Sequence, residues 1–579
     1  MQPMQPPQPP QPPQPTPPAY PMHTMQPAPP RSGFHLGSAI SGFAIGMVVT
    51  FLAAIAVVPD GTSQRGTPVA LDTYGAGDGA EFVDDEGAAV DAQGNPVQGG
   101  GSRSSSSSKK AAGGAAGTGG SAAGGAAGSA GRAAGGTGAG SNVAGGAAGG
   151  SAGGSAGGGG ACEPGKNGGA TDVGITDTQI KLGATIAESG IADYFLGEVR
   201  QGMEAQVKKI NRAGGICGRQ LRVIYKDDGW NPDTGNRYLQ NLVEGEKVFA
   251  LAVSPSSEGL NTASRGGYFA KQGVPVVGAD GLNVTQFKDP MIWPVAAATT
   301  TTIDVMMKNA ADRAGGGANL RPAIVYGKGY RFGIEGAYAA NEAYKRVCQC
   351  PGFPGYENPL EAPTCKERFC GITPTDKQFQ TKVSVLKDAC AFGAPNACNF
   401  MIMLLEPSTA QDWMAVSGVP QPKDFAFGMG APQPLFTFAF ANTCSDKCDG
   451  LWLWTGYNPP LDRYKSSPAV AAYESDLHGQ SPSADKFNQF TMGGYIGMQL
   501  LIEALKQVGP NLTRAALVAK LNSMAPLDTG LTTPLQWRPN ARYANHSAQA
   551  FKIEARNGFT GWVLQQEPMR DPWLGQHTA

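Results

Sequence analysis

The residues of this chain best suited to chemistry are hydroxyls, glycines and carboxylates in short loops, each directly after an apolar run. Glu188-Ser189-Gly190 follows Gln179–Ile186, Ser254-Pro255-Ser256-Ser257 follows Val248–Val253, and Gly278-Ala279-Asp280 follows Val274–Val277. Farther along, Tyr330, Glu406 with Ser408, and Gly430 stand in matching loops. Hydroxyls and backbone N–H groups at a helix start suit a carboxylate. Ser254, Ser256 and Ser257 therefore read as an anion-holding loop, or equally as a loop in which Ser256 or Ser257 only caps its helix. Glu406 reads either as a partner for an ammonium group through a charge-assisted bond or as a helix-start residue favoured by the dipole. This is the chemistry of holding a molecule, with nothing that would break its bonds.

Catalytic constellations are missing. Gly327-x-Gly329-x-x-x-Gly333 has the wrong spacing for a nucleotide fingerprint and lacks the Lys-Ser/Thr of a phosphate loop. No Gly-x-Ser-x-Gly elbow occurs, and His478, His546 and His577 are too scattered for acid-base work. No enzymatic activity and no cofactor are expected. All ten cysteines, Cys162, Cys217, Cys348, Cys350, Cys365, Cys370, Cys390, Cys398, Cys444 and Cys448, follow residue 160. Without a CxxC pair or a histidine beside them they fit disulfides better than zinc, and so an oxidising compartment and no metal site. A net charge of −1 and a pI near 6.5 give no basic excess, which excludes nucleic acid as a partner.

These loops need elements to position them, and the elements alternate. Strand signals at Gln179–Ile186, Gln220–Tyr225, Val248–Val253 and Val274–Val277 are separated by helical patterns such as Tyr194–Asn211 and about 257–271. This is the texture of a doubly wound parallel sheet, with ligands held beyond the strand carboxyl ends. The pattern then restarts with strands at Ala323–Tyr326, Phe400–Leu405 and Phe425–Phe427 and a helix at Gly333–Val347, which predicts a second lobe of the same α/β kind. A last helix, Met492–Val508, and strands at Gln549–Ile553 and Gly561–Leu564 could serve either lobe.

The first 160 residues obey different physics. Residues 1–33 are a Gln/Pro tail that cannot form a core. Within 34–58, Leu36–Val58 runs without a charge, long enough to cross about 30 Å of hydrocarbon. Its length favours an uncleaved anchor over a signal peptide cut after Ala54-Ile55-Ala56. Arg31 before it and a string of acidic residues after it place the N-terminus in the cytoplasm. Residues 59–160 are rich in Gly, Ala and Ser; over 101–160 the only aliphatic residue larger than alanine is Val143. Such a chain loses more entropy on folding than burial could offset. It would act as a tether with a typical end-to-end distance of about 50 to 60 Å.

From Gly174-Ile-Thr-Asp-Thr-Gln-Ile-Lys-Leu-Gly183 onward the chain resembles the type I periplasmic-binding family that includes the branched-chain amino-acid binding proteins. The likeness continues in Glu198-Val-Arg-Gln-Gly-Met-Glu-Ala205, Asn211-Arg-Ala-Gly-Gly-Ile-Cys-Gly-Arg219, Lys226-Asp-Asp-Gly229 and Tyr326-Gly-Lys-Gly-Tyr-Arg-Phe-Gly333, covering 174 to about 565. The resemblance implies two Rossmann-like lobes joined by three crossovers, near Trp293-Pro-Val295, between Leu451 and Tyr457, and before the last strands, which join the second lobe. The binding domain 161–579 then divides into one lobe of about 174–293 and 455–525 and another of about 298–450 and 535–565. It further implies a small-molecule ligand held by hinge closure and handed to an ABC permease in the membrane.

By the same resemblance, the Ser254–Ser257 loop would take an amino acid's carboxylate and Tyr330 would lie against the ligand, its other reading being a surface tyrosine. The chain departs from the family twice. Met429-Gly430-Ala431 offers no counterpart to the usual acidic partner of an ammonium, so amides, short peptides and aromatic acids stand beside amino acids as candidate ligands. Cys348–Cys370 is a Pro-rich insertion in which two disulfides would replace a core. Cys390 with Cys398, Cys444 with Cys448, and Cys162 with Cys217 are the other expected pairs, the last from the family-like position of Cys217. A tethered sensor and a cell-surface interaction protein are the alternative uses of such a chain.

Overall fold

The computed structural model describes residues 82–83, 89–90, 162, 166–254, 257–360, 365–373, 379–538, 542–556 and 559–574. The tail, the apolar segment Leu36–Val58 and nearly all of the tether lie outside the described residues, as does Ser256. Among the described residues no helix is long and apolar enough to cross a membrane.

Two sheets organise the chain from Gln179 onward. The first is wholly parallel: β1 (Gln179–Ile186), β2 (Gln220–Asp227), β3 (Ala250–Ala252), β4 (Val276–Ala279) and β5 (Ile292–Pro294), in the order β2-β1-β3-β4-β5. The order reverses between β1 and β3, so their carboxyl ends flank a crevice where a ligand can sit. The second sheet has the order β13-β12-β11-β10-β9-β6-β8-β7. Its strands are β6 (Pro322–Gly327), β7 (Cys365–Lys366), β8 (Phe369–Ile372), β9 (Phe400–Leu404), β10 (Met429–Ala431), β11 (Leu451–Thr455), β12 (Ser547–Arg556) and β13 (Phe559–Arg570). Its centre is parallel, and the β12–β13 hairpin adds an antiparallel edge against β11.

Six helices matter for the site: α1 (Val199–Arg212), α2 (Ser257–Arg265), α3 (Thr299–Arg313), α4 (Arg331–Cys348), α5 (Pro407–Ala415) and α6 (Gln489–Val508). Both faces of each sheet are covered, so the central strands read as continuous apolar runs; all five residues of β9 are buried. Asn488 caps α6, accepting hydrogen bonds from the N–H groups of Phe490 and Thr491, while its Nδ2 donates to the Phe195 carbonyl at 3.0 Å. The chain thus returns from the second sheet to pack on the first lobe.

Three segments connect the lobes and are laced together. Ala297 bridges Asn545, and Tyr457 bridges Thr532. The fully buried Asn545 donates from Nδ2 to the Gly456 carbonyl at 2.9 Å, and Gln549 donates to the Tyr457 carbonyl at 2.6 Å. A Cβ at Gly456 would lie 2.7 Å from Asn545 Nδ2 and 2.8 Å from Ala297 Cβ, so glycine lets the three strands approach. A short laced connection of this kind lets two rigid bodies rotate while keeping their register.

The structure changes two details of the sequence reading. The strand expected at Phe425–Phe427 forms at Met429–Ala431. Within the Cys-rich insertion, Phe369–Ile372 pairs parallel to β6, and Phe353 and Tyr356 pack edge-on against Phe369 at 5.8 and 5.0 Å. The insertion therefore has a small aromatic core of its own as well as disulfides. The pairs are Cys162–Cys217, Cys348–Cys350, Cys365–Cys370, Cys390–Cys398 and Cys444–Cys448.

Candidate ligand-binding site

The loops at the carboxyl ends of the two sheets face each other, and their backbones are unusual. Val253 and Ser254, just beyond β3, have φ values of 61° and 35°. A β-branched residue in the left-handed region costs on the order of 1 to 3 kcal/mol, a strain usually kept where an adjoining group must be aimed. Here it turns the fully buried Ser254 so that its Oγ accepts from the Thr185 N–H at 3.4 Å, tying the loop to β1. Ser257 opens α2, is also buried, and accepts from Trp230 Nε1 at 3.3 Å. Ser189 is exposed and faces Gly229.

Trp230 is a residue the sequence reading passed over. It follows Asp227-Asp228-Gly229 at the carboxyl end of β2, with φ 61° and 5% exposure. From the second lobe Tyr330, at the start of α4, meets it with ring centroids 5.0 Å apart, and Tyr330 in turn stacks on Phe332 at 4.9 Å with the rings 5° from parallel. Tyr330 is 2% exposed, so the surface-tyrosine reading is corrected: the ring folds back over Gly327, where a Cβ would collide with it. The signal that could have found Trp230 is a large aromatic directly after a turn glycine at a strand's carboxyl end.

Glu406 caps α5. Its carboxylate accepts from the N–H groups of Ser408 at 2.6 Å and Thr409 at 2.8 Å and from Ser408 Oγ at 2.6 Å, and Tyr330 Oη accepts from the Glu406 N–H at 3.2 Å. Its own helix therefore takes up the carboxylate. Gly430, expected in a loop, is corrected to the buried middle of β10, where it makes room for Met306 of α3, whose Sδ would lie 2.7 Å from a Cβ there. Gly278 and Ala279, expected in the loop beyond the strand, lie inside β4: Gly278 lets α6 approach it, and the buried Ala279 ends it, which leaves only Asp280 of the three in the loop.

Carboxylates fasten the lobes reciprocally. Glu258 of α2 accepts from the Arg331 N–H at 2.9 Å, and Glu335 of α4 accepts from the Val284 N–H at 2.7 Å. Each thus meets the opposite lobe at the first turn of a helix, where the dipole favours negative charge. Arg331 Nη2 donates to Glu335 Oε1 at 3.0 Å, and Thr299 Oγ1 donates to the Leu282 carbonyl at 3.0 Å. Asp280, beyond β4, accepts with Oδ1 from the Leu282 N–H at 3.1 Å and Gln286 Nε2 at 2.7 Å. Burial pushes Glu258 and Asp280 both up to about 7, outweighing the hydrogen bonds that pull them down.

The sign of this shift gives a test. The folded protein keeps these two protons up to about pH 7, whereas the unfolded chain releases them near the ordinary carboxylate pKa of about 4. Their contribution to stability is therefore full at low pH, declines as pH rises from about 4 to about 7, and is constant above. The double variant Glu258→Gln/Asp280→Asn should show a shallower decline than the parent in unfolding midpoints measured at about pH 5 and about pH 8. Parallel profiles would mean that neither carboxylate is protonated in the folded state.

A cavity of about 630 Å³ lies elsewhere, lined by Arg321, Lys387, Phe392, Asn399 and Lys423 among others. Arg321 and Asn399 immediately precede β6 and β9, so this hollow sits at the amino ends of the strands, the far edge of the sheet from the loops above. A group of three or more His, Cys, Asp or Glu placed to hold a metal ion does not occur among the described residues.

Comparison with known proteins agrees with this architecture. The sequence profile of the family described as periplasmic binding protein matches residues 179–347 and 428–558, just over half of the chain. The Leu/Ile/Val-binding protein homolog 2 of Brucella abortus is 26% identical over 119 residues, which span 21% of this chain and 30% of that protein's length. A possible leucine/isoleucine/valine-binding protein from Rhodopirellula baltica superposes with a TM-score of 0.55 at 16% identity, over 67% of this chain and 96% of that one. A fatty acid ABC transporter substrate-binding protein from Thermomonospora curvata gives 0.54 at 17% identity, over 72% and 98%. At these identities the structural likeness is one of fold.

Proposed function

The chain belongs to the periplasmic binding protein family, a family of binding proteins and not of enzymes, and from that premise we propose that it captures a small polar solute by hinge closure and passes it to an ABC-type permease. The observation that carries the reading is the seam between the lobes. Trp230 and Tyr330 meet ring to ring, and Glu258 and Glu335 reach across to opposite backbones, all at strand carboxyl ends. Contacts that form only when two hinged bodies meet define a closed state, and a ligand with higher affinity for that state shifts the equilibrium toward it. Relatives named for Leu, Ile and Val, and a fold neighbour named for fatty acids, support a small-molecule ligand.

In this reading the cytoplasmic tail 1–33, the membrane anchor Leu36–Val58 and the tether 59–160 hold the domain near its permease outside the cell. Restriction to that volume raises the effective concentration at the permease without a permanent contact.

The test is a thermal-shift and small-angle scattering screen of the full chain against amino acids, amides, short peptides and aromatic acids. A true ligand should raise the unfolding midpoint and change the scattering curve. Ser257→Ala should weaken that ligand by about tenfold, since it removes a hydroxyl fixed beside Trp230. Undiminished affinity in this variant would remove the Ser257 loop from the site.

A further inference from the structure

Resting on the solute-binding reading, we propose that the cleft is built for an organic cation, a protonated amine on an apolar body, seated among Glu258, Asp280 and the rings of Trp230 and Tyr330. The first observation is a surplus of acceptors. Asp280 is 6% exposed and its Oδ2 has no donor; Asn283, fully buried, has no donor for Oδ1 although its Nδ2 reaches the Ser257 carbonyl at 3.3 Å. Buried acceptors left unpaired are costly, and an occupant that brings N–H groups removes that cost.

Charge points the same way above about pH 7, where Glu258 and Asp280 have released the protons that burial lets them keep below it. Glu258 and Glu335 cross the seam, Asp280 lies near enough to Glu258 to repel its charge, and the guanidinium that faces Glu258, Arg331, is already committed through Nη2 to Glu335. The rings add to this selection, because the electron-rich faces of Trp and Tyr attract a cation and repel a carboxylate. Trp230 is held by Ser257, the residue whose carbonyl Asn283 touches, so the rings and the acceptors belong to one place.

One donor stands against the proposal. Arg331 Nε is buried without an acceptor, and it could take the carboxylate of a zwitterion. The distinguishing experiment therefore uses three probes of nearly the same shape: phenethylamine, phenylalanine and 3-phenylpropanoate. Their binding to the full chain is measured by titration calorimetry at about pH 8 and about pH 6.

Phenethylamine should bind at least about tenfold more tightly than either carboxylate. Its affinity should fall at the lower pH, where Glu258, facing Arg331, Glu335 and Asp280, and Asp280, facing Gln286 and Tyr457, gain protons. Glu258→Gln and Asp280→Asn, which keep shape and remove charge, should each cost about tenfold. Phenylalanine or phenylpropanoate binding as well as the amine would end the cation proposal and leave solute binding intact. Amine binding unaffected by both variants would also end it. Silence of all three probes, with a scattering curve that no compound in the wider screen alters, would end both.

Discussion

Trp230→Ala is expected to move the ligand-free protein toward an open arrangement by about 100-fold in the closure equilibrium. The indole is 5% exposed and makes two kinds of contact. Within its own lobe it meets Phe195 edge-on at 5.6 Å, a contact that survives opening; across the seam it meets Tyr330 at 5.0 Å and Phe332 at 6.3 Å. Truncating a buried tryptophan costs about 3 to 5 kcal/mol, and the share made across the seam, about 2 to 3 kcal/mol, falls on closure alone. Small-angle scattering should report a larger radius of gyration for the variant, and Trp230→Phe should recover much of the difference. An unchanged curve for Trp230→Ala would mean that the ring stack does not hold the lobes together.

The parallel sheets were legible because a strand buried on both faces must be apolar throughout. FMIML is such a run, QIKLGATI comes close to one with only Gln179 and Lys181 half-buried, and the alternation with helices that parallel connections require adds to the signal. Legibility ended where the local signal was short or contradicted by tertiary packing. Phe425–Ala426–Phe427 has better strand propensity than Met429-Gly430-Ala431, yet it is the latter that pairs with β9 and β11, with Gly430 leaving room for Met306 of α3. Phe369–Ile372, four residues with a cysteine and a glycine among them, gave no period to read and became a strand only by pairing with β6.

The site divides along the same line. That Ser254, Ser257, Asp280 and Tyr330 stand on facing loops follows from strand positions, which sequence displays. The partners that give them meaning do not show there, since Glu258, Glu335 and Trp230 act across a seam between segments tens to about a hundred residues apart. Glu406 had two readings that its sequence context supports equally, and only its hydrogen bonds to Ser408 and Thr409 identify the helix cap.

Gly278→Val should cost about 4 kcal/mol or more of folding stability, read as a lower urea midpoint of the full chain. Gly278 has φ 90° and is the extra residue in the pairing of β4 with β5, where Val277 opposes Trp293 and Ala279 opposes Pro294. A Cβ there would lie 2.5 Å from Gly497 Cα, so a side chain meets the backbone of α6 and no rotamer can relieve it. The conformational strain of about 1 to 2 kcal/mol adds to the cost of forcing helix and strand apart. Gly497→Ala should be milder, because its Cβ would lie 2.9 Å from the Gly278 carbonyl and the side chain of Val253 can yield. Equal midpoints for Gly278→Val and the parent would show that α6 is not seated on the strand. The same bulge sets the direction in which the chain leaves β4, two residues before Asp280. A variant that folds with the bulge removed should therefore also misplace that carboxylate, because the glycine that seats the helix is the one that aims the site.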